Sequence, residues 1–507
     1  MHTFVHALRR AERVALGREA LVCGDVRLTY AELLGRCRRL AGGLDALGTA
    51  RGDRVAVLSF NSIPFVELYC TLSAAGRVQV PLNFRWSEPE LAYALEDSGA
   101  RVLFIDRDPG QLAALVDRVV RTDTGEYEEL LASSHEVDLL ARTPAEDDLA
   151  GLFYTGGTTG ASKGVMLTHR NLLANTFNSQ MLTPMDGSDV YLVMAPLFHA
   201  AGSISLLQSI YVGALQVILP AFDPGGALDV IEAEGVTATL GVPTMVAGMV
   251  EEQLARPRRV DTLRTFAHGG SPIATEVVRR AAKAFPATEF VHVYGATETA
   301  PLVTGLRHEE GLIDSDSGSG RARSAGQPVV GVEVVIRSPD GAALPDGEAG
   351  EVTVQGTNVM VGYWNKAEQT AAVLRDGWYW TGDVGRLDDE GFLYLLDRSK
   401  DMIISGGENV YCTEVEEALY AHPLVLEATV FGIPDERWGE AVHAVVVPRG
   451  AVEPDELIAH CRSLIAGYKV PRSLQLREEP LPKSGPGKVL KRELRAPFWE
   501  GRDTQIS

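Results

Sequence analysis

Tyr154-Thr-Gly-Gly-Thr-Thr-Gly-Ala-Ser-Lys-Gly164 follows the apolar run Leu149 to Phe153. The run reads as a buried strand, and the stretch after it as a loop built to hold an anion. Gly156, Gly157 and Gly160 let the backbone turn sharply and present successive N–H donors. Thr155, Thr158 and Thr159 add hydroxyls, and Lys163 adds a positive charge. Such a set suits a polyphosphate. A plain Gly/Thr surface turn would need neither the lysine nor so many donors. The stretch is not the G-x-x-x-x-G-K-S/T loop of P-loop proteins, because Gly164 follows Lys163.

Outward from the loop, helix and strand patterns alternate. Tyr30 to Leu47 spaces apolar residues for a helix, with Thr29 as its N-cap. Arg54 to Leu58, Val78 to Pro81 and Val102 to Ile105 read as short buried strands, with helices at Pro64 to Ala75 and Glu88 to Ser98. The pattern resumes at Val190 to Pro196, Leu215 to Leu219, Ala238 to Leu240 and Phe290 to Val293. Strands separated by helices make parallel sheets covered on both faces. After Ser324 the character changes. Val332 to Arg337, Gly350 to Gln355 and Phe392 to Leu396 read as strands joined by turns such as Pro339-Asp-Gly341 and Pro345-Asp-Gly347. Asp314 to Ser319 reads as a mobile surface loop. From Met402 a compact α+β unit follows, with helices at Thr413 to Ala421 and Pro454 to Ile465 and strands at Glu427 to Phe431 and Ala441 to Val447. The expected fold is α/β. A large N-terminal domain, 1–397, has parallel and mixed sheets covered by helices plus a β-rich subdomain. A charged hinge, 398–401, leads to a small mobile α+β domain, 402–507.

A chain of 507 residues is too long for one hydrophobic core. Its net charge of -21 repels nucleic acid and anionic membranes, so an anionic ligand must be held by local donors. Cys23, Cys37, Cys70, Cys412 and Cys461 are scattered and form no C-x-x-C pair. Neither a disulfide framework nor a zinc site is expected, and a reducing compartment fits. Met1 to Gly17 is interrupted by charges, unlike a signal peptide, and no apolar stretch has the length of a bilayer span. A cytoplasmic protein with no nucleic-acid partner is expected. A homodimer is compatible with these features and dictated by none of them.

The glycine-rich loop resembles the signature of the adenylate-forming superfamily, which includes acyl- and aryl-CoA ligases, firefly luciferase and peptide-synthetase adenylation domains. That signature is S/T-S-G-S/T-T-G-x-P-K-G; Gly156 replaces its serine and Ser162 its proline. Both changes loosen the loop and leave its lysine and threonines in place. Further segments match in the family's order along nearly the whole chain. Tyr294-Gly-Ala-Thr-Glu-Thr299 is similar to Y-G-x-T-E. The resemblance gives Tyr294 and Gly295 to the adenine side, Thr297 to phosphate, and Glu298 with Thr159 to Mg²⁺, a hard cation that needs oxygen ligands. His268-Gly-Gly-Ser-Pro-Ile273 is similar to the glycine-rich stretch beside the adenine and acyl pockets, which brings in Gly270, Ser271 and Pro272. His268 stands where small residues are common, and reads equally as a buried hydrogen-bonded histidine or a polar substrate contact. Tyr379-Trp-Thr-Gly-Asp383 assigns Asp383 to both ribose hydroxyls. Asp397-Arg-Ser-Lys-Asp401 assigns Arg398 to ribose or phosphate and Lys400 to the hinge position.

Ser405-Gly-Gly-Glu-Asn-Val-Tyr411 resembles the CoA-ligase form of the next segment, with Gly406 and Gly407 leaving room for a pantetheine arm. Trp438 and Arg85 match positions that meet CoA, by packing and through a phosphate respectively; a core or surface role is the plainer reading of each. Cys412 replaces a common proline and reads as a small buried residue, not a nucleophile. Pro196-Leu-Phe-His-Ala-Ala-Gly202 makes His199 the aromatic gate between carboxylate and CoA tunnel. Pro482-Lys-Ser-Gly-Pro-Gly-Lys-Val-Leu-Lys491 resembles P-K/R-S/T-x-x-G-K-I/V. There Lys488 would bridge the substrate carboxylate and the α-phosphate as negative charge builds at phosphorus. Gly362-Tyr-Trp-Asn365 fits the same pattern. The acid pocket is expected to draw on Phe198, His199, Val242, His268, Gly269, Gly270, Val293, Gly295 and Ala296. The resemblance implies the superfamily's fold, the ligands ATP, Mg²⁺ and CoA, and an acid:CoA ligase acting on an aromatic or fatty acid by domain rotation about Lys400. A carrier protein as acceptor, or nitrite adenylated to diazotise an arylamine, are the alternatives.

Overall fold

The computed structural model describes residues 3–142, 144–155, 162–271, 273, 275–307, 320–398, 401–406, 408–435, 437–483 and 489–500. Gly156, Gly157, Thr158, Thr159, Gly160, Pro272, Lys400, Gly407, Lys488 and the stretch 314–319 lie outside them.

Local signals set the elements. Thr29 closes a capping box: its hydroxyl accepts from Glu32 N at 3.3 Å and its own N–H donates to the Glu32 carboxylate at 2.7 Å. The helix that follows, Tyr30–Ala46, buries Leu33, Leu34, Cys37, Leu40, Ala41 and Leu44 along one stripe. Arg54–Leu58, Val78–Pro81 and Val102–Ile105 are parallel strands, as their continuous apolar runs require.

Two large sheets result. A seven-stranded sheet runs Gly362–Tyr363, Lys163–Thr168, Leu149–Thr155, Val78–Pro81, Arg54–Leu58, Val102–Ile105, Arg118–Arg121. A nine-stranded sheet has Glu289–Tyr294, Thr265–Gly269, Ala238–Gly241, Val190–Val193 and Leu215–Ile218 in its parallel interior. Both are mixed, because antiparallel hairpins finish the edges: Leu149–Thr155 with Lys163–Thr168, and Glu289–Tyr294 with Thr304–Leu306. A five-stranded sheet built on Val332–Arg337, Gly350–Gly356, Trp378–Leu387 and Leu393–Arg398 forms the β-rich subdomain. The small C-terminal domain folds a second five-stranded sheet, centred on Val425–Asp435 and Gly439–Pro448, against helices Cys412–Tyr420 and Pro454–Leu464.

The cores respect this division. Three apolar clusters use buried residues up to Leu393, and two use only Ile403 and beyond. The C-terminal core, with Val415, Leu419, Val430, Val442, Val446 and Leu457 fully buried, is self-contained. At roughly 1.5–3 kcal/mol per buried side chain, it needs no apolar help from its neighbour. Polar contacts cross instead. Arg449 meets Glu251 at 2.9 Å, Arg323 meets Glu417 at 3.5 Å, and Cys412 N donates to Asp397 Oδ2 at 2.6 Å. Among the described residues, no helix is long and apolar enough to cross a membrane.

Candidate active site

The glycine-rich loop closes a hairpin. Thr155 pairs with Lys163 and Tyr154 with Gly164, so the loop's two ends are fixed by ladder hydrogen bonds. Its base is also pinned from the side. Tyr154 Oη donates to Asp97 Oδ2 at 2.7 Å, and Lys366 Nζ lies 3.2 Å from Asp97 Oδ1. The Lys163 ammonium stands 4.8 Å from the centroid of the Tyr363 ring. Tyr363 Oη donates to Glu298 Oε1 at 2.7 Å, and Met360 N donates to the Glu298 carbonyl at 2.8 Å. Thr297 and Glu298 lie on the single 3-10 turn Thr297–Thr299, directly after the strand ending at Tyr294.

A second cluster forms on the β-rich subdomain. Asp383 and Arg398 are direct partners across two antiparallel strands. Asp383 accepts from Tyr294 Oη at 2.7 Å through one oxygen and meets Arg398 Nε at 3.0 Å through the other. Burial, then the Asp383 carboxylate, pushes the Tyr294 phenol well above its ordinary range, so it remains a donor. Tyr379 feels the charges of both clusters. It is buried, and after burial the charges of Glu298 and Asp383 hold its phenol protonated.

The acid-side candidates lie at the ends of adjacent parallel strands. His268 pairs with His292 and Gly269 with Val293. Backbone crowding dictates the glycines there. A Cβ on Gly269 would lie 2.2 Å from the Val293 carbonyl oxygen, and one on Gly295 would lie 1.6 Å from that of Pro301. Gly270 has φ +86° and faces Val242, whose Cγ1 is 3.8 Å from the Cβ position. Ser271 continues this stretch, and Ala296 leads into the Glu298 turn. His268 is buried, stacked on His292 with ring centroids 5.2 Å apart and an interplanar angle of 8°. Burial, with the neighbouring imidazole, pushes its pKa well below 6.5 and keeps it neutral. Its Nδ1 has no hydrogen-bond partner among the described residues.

Phe198 and His199 form an aromatic group with Phe84. The Phe84 and Phe198 rings meet edge-on at 5.2 Å, and the Arg85 guanidinium stands over Phe84 at 5.4 Å. Burial, then the Arg85 charge, lowers the His199 pKa to about 4. Arg85 and His199 thus flank the same pair of phenylalanines, Phe84 and Phe198.

On the C-terminal domain, Gly406 and Trp438 are in contact. A Cβ on Gly406 would sit 2.5 Å from Trp438 Cε3, and φ there is +64°. The space beside Gly406 is therefore filled by the indole in this structure, not left open for a pantetheine arm. The Arg437 and Arg472 guanidiniums stand 4.8 and 4.7 Å from the Trp438 ring. Cys412 is fully buried, with Sγ donating to the Asp401 carbonyl at 3.1 Å; burial raises its thiol pKa and makes it inert, as read from the sequence.

Sequence reasoning missed three residues. Asp97 lacks any motif. Lys491, at the end of the quoted Lys488 stretch, is half-buried and pairs with Glu416 at 2.8 Å. Tyr363 was quoted only as part of Gly362-Tyr-Trp-Asn365, yet it touches both Lys163 and Glu298. As for a metal, no group of three His, Cys, Asp or Glu gathers among the described residues. Mg²⁺ does not require one, since it keeps water and phosphate ligands beside one or two carboxylates. Glu298, with one oxygen held by Tyr363, fits that need.

Comparison with known proteins follows this geometry. The family model described as AMP-binding enzyme matches residues 8–364, and the model for the AMP-binding enzyme C-terminal domain matches 414–488. A feruloyl-CoA synthase from Amycolatopsis is 42% identical over 496 residues, 97% of this chain and 98% of that protein. A fatty acid–[acyl-carrier-protein] ligase from Streptomyces coeruleorubidus is 36% identical over 492 residues, 95% of this chain and 93% of that protein. The o-succinylbenzoate coenzyme A synthetase of Bacillus subtilis, solved with ATP and a magnesium ion, superposes with a TM-score of 0.86 at 32% identity, covering 96% of this chain and 99% of that one. With both halves matched in order, and relatives aligned from end to end, the chain belongs to the AMP-binding enzyme family of the adenylate-forming superfamily.

Proposed function

We propose that this protein is an AMP-forming acid:CoA ligase. The observation that carries the reading is the assembly of Lys163, Glu298, Tyr294, Asp383 and Arg398, from four separate segments, into two clusters, one centred on Tyr363 and one on Asp383. One cluster offers a cation and a carboxylate beside a loop rich in N–H and hydroxyl donors. The other offers an aromatic ring and a carboxylate-guanidinium pair. Together they suit a polyphosphate and a nucleoside.

In the first step a carboxylate oxygen of the acid attacks the α-phosphorus of ATP, the bond to the bridging oxygen breaks, and pyrophosphate leaves. Thr155, Gly156, Gly157, Thr158, Thr159, Gly160 and Lys163 hold the leaving phosphates, and Lys488 steadies the charge gathering at phosphorus. Mg²⁺ would be held by Glu298 and Thr159 and would neutralise phosphate charge. Tyr294 takes the adenine face and Asp383 the ribose hydroxyls, held in place by Arg398. In the second step the CoA sulfur attacks the acyl carbonyl and AMP leaves with the bonding electrons. His199 and Arg85 line the approach of the thiol, and Trp438 packs on the nucleotide end of CoA.

The hinge belongs at 398–401, with Lys400 at its centre. Support comes from the apolar clusters, which stop on either side of it and leave polar contacts to span the gap. Rotation there leaves both apolar cores intact, and presents Lys488 in one orientation and the CoA-side residues in the other. The acid is aromatic or fatty, and the likeness to a feruloyl-CoA synthase places hydroxycinnamates first for assay. The likeness to a carrier-protein ligase supports a second reading, in which the acceptor is a carrier-protein thiol. Incubation with MgATP and an acid panel, with CoA or a phosphopantetheinylated carrier protein, followed by mass spectrometry, separates the two. An acyl-CoA product is expected; acylation of the carrier alone would move the acceptor.

A further inference from the structure

We infer that Tyr363 is a positioning residue that sets the Glu298 carboxylate and the Lys163 ammonium in one arrangement, and thereby governs the divalent-cation requirement of adenylation. The inference rests on the proposed function of that site.

The backbone around Tyr363 is held from three sides. Gly362 and Tyr363 pair with Met166 and Val165, continuing the strand that begins at Lys163. Tyr363 N donates to Thr370 Oγ1 at 2.9 Å. Met360 N donates to the Glu298 carbonyl at 2.8 Å, tying this segment to the Glu298 turn. The side chain is 5% exposed. Its two ends then do different work. The ring face carries the Lys163 ammonium at 4.8 Å, within cation–π range. The hydroxyl donates to Glu298 Oε1 at 2.7 Å. One rigid side chain thus fixes both the positive and the negative group of the phosphate site.

The hydroxyl has opposing effects on a metal. It draws some charge from the carboxylate, and it selects one carboxylate orientation with Oε2 free of hydrogen bonds among the described residues. Glu298 is only partly buried, so without the phenol it would sample several rotamers in water. Ordering outweighs charge withdrawal, because an unordered ligand must be immobilised when the metal binds.

Tyr363→Phe keeps the ring and deletes the hydroxyl; Tyr363→Leu deletes both. In acid-dependent ATP–pyrophosphate exchange, the Mg²⁺ concentration for half-maximal rate should rise about tenfold in Tyr363→Phe, the ordinary net worth of one hydrogen bond. The KM for the acid, and thioester formation from supplied acyl-AMP, should stay at the wild-type value. Calorimetric titration of ATP at low Mg²⁺ should show the same loss, recovered at high Mg²⁺. Tyr363→Leu should also weaken ATP binding in EDTA, where only Lys163 is in play. An unchanged Mg²⁺ requirement in Tyr363→Phe, a tighter one, or an equal loss in both half-reactions with a lower Tm would overturn the inference. If the wild-type protein gives no exchange, the ligase reading fails, and the calorimetric comparison still decides the role of Tyr363.

Discussion

Around Asp383 and Tyr363, side chains from distant segments are locked together: Tyr294 and Arg398 on the two carboxylate oxygens of Asp383, and Lys163 and Glu298 on the ring and hydroxyl of Tyr363. Around Arg449, on the C-terminal domain, one guanidinium reaches across to Glu251, which also serves Arg280. The first region is a mesh in which Asp383 and Tyr363 each hold two partners from other segments. The second is one of a few polar contacts between two self-sufficient cores. The contrast separates groups held in place from an interface with few polar ties. Nucleotide binding needs preorganised groups, and the proposed exchange of Lys488 for the CoA-side residues would need an interface that opens cheaply.

Four changes would break or sharpen that comparison. Lys488→Ala should lower acid adenylation about a thousandfold, as expected for loss of a group that meets transition-state charge, and spare thioester formation from supplied acyl-AMP. Stopped-flow assays of the two half-reactions check it; equal loss in both would remove Lys488 from the first step. Asp383→Ala leaves Arg398 and the Tyr294 hydroxyl without their shared partner. In the proposed reading Asp383 also accepts from both ribose hydroxyls; losing these charge-assisted hydrogen bonds costs about 3 kcal/mol, so the KM for ATP should rise about a hundredfold while the KM for CoA holds. Kinetics with each substrate varied in turn read the difference.

Acid should attack the large domain first. Burial lowers the pKa values of His169 and His199 to about 4, against 6.5 when unfolded. Between those values the unfolded chain binds more protons, so this stabilisation is full above pH 6.5 and is lost as pH falls toward 4. Each contributes up to about 3 kcal/mol. Urea melts at pH 7.5 and 5 should show a large loss for the transition that carries these histidines. The smallest effect belongs to the crossing contact. Arg280, with Arg449 assisting, holds the Glu251 carboxyl at about 2, but the Arg449 pair is partly exposed and worth less than about 1 kcal/mol. Arg449→Ala should change the ratio of the two half-reaction rates by no more than about fivefold, and high salt should mimic it in the wild-type protein.

Much of this was legible before any coordinates. Thr29 before an apolar stripe, and the Val-rich runs at residues 54–58 and 102–105, gave strands and helices because each pattern buries a face in only one way. Asp383 and Arg398 were found by motif, although nothing in their spacing says that they pair across two strands. Tyr363, Asp97 and Lys491 were not found as site residues. Each acts through partners more than fifty positions away, and a tyrosine, an aspartate or a lysine has no local pattern that records such a partner. Gly269 and Gly295 were placed in the acid pocket by resemblance, and the structure shows that neighbouring carbonyl oxygens demand glycine at both. His268 was legible as an oddity, and only the fold revealed its stacked partner His292.

The most direct test of the account is acid-dependent exchange of labelled pyrophosphate into ATP, run across aromatic and fatty acids first without CoA and then with it. The account predicts exchange with one acid class in the absence of CoA, and an acyl-CoA product with AMP once CoA is added. Absence of exchange with every carboxylic acid, by a protein that still binds MgATP, would contradict it.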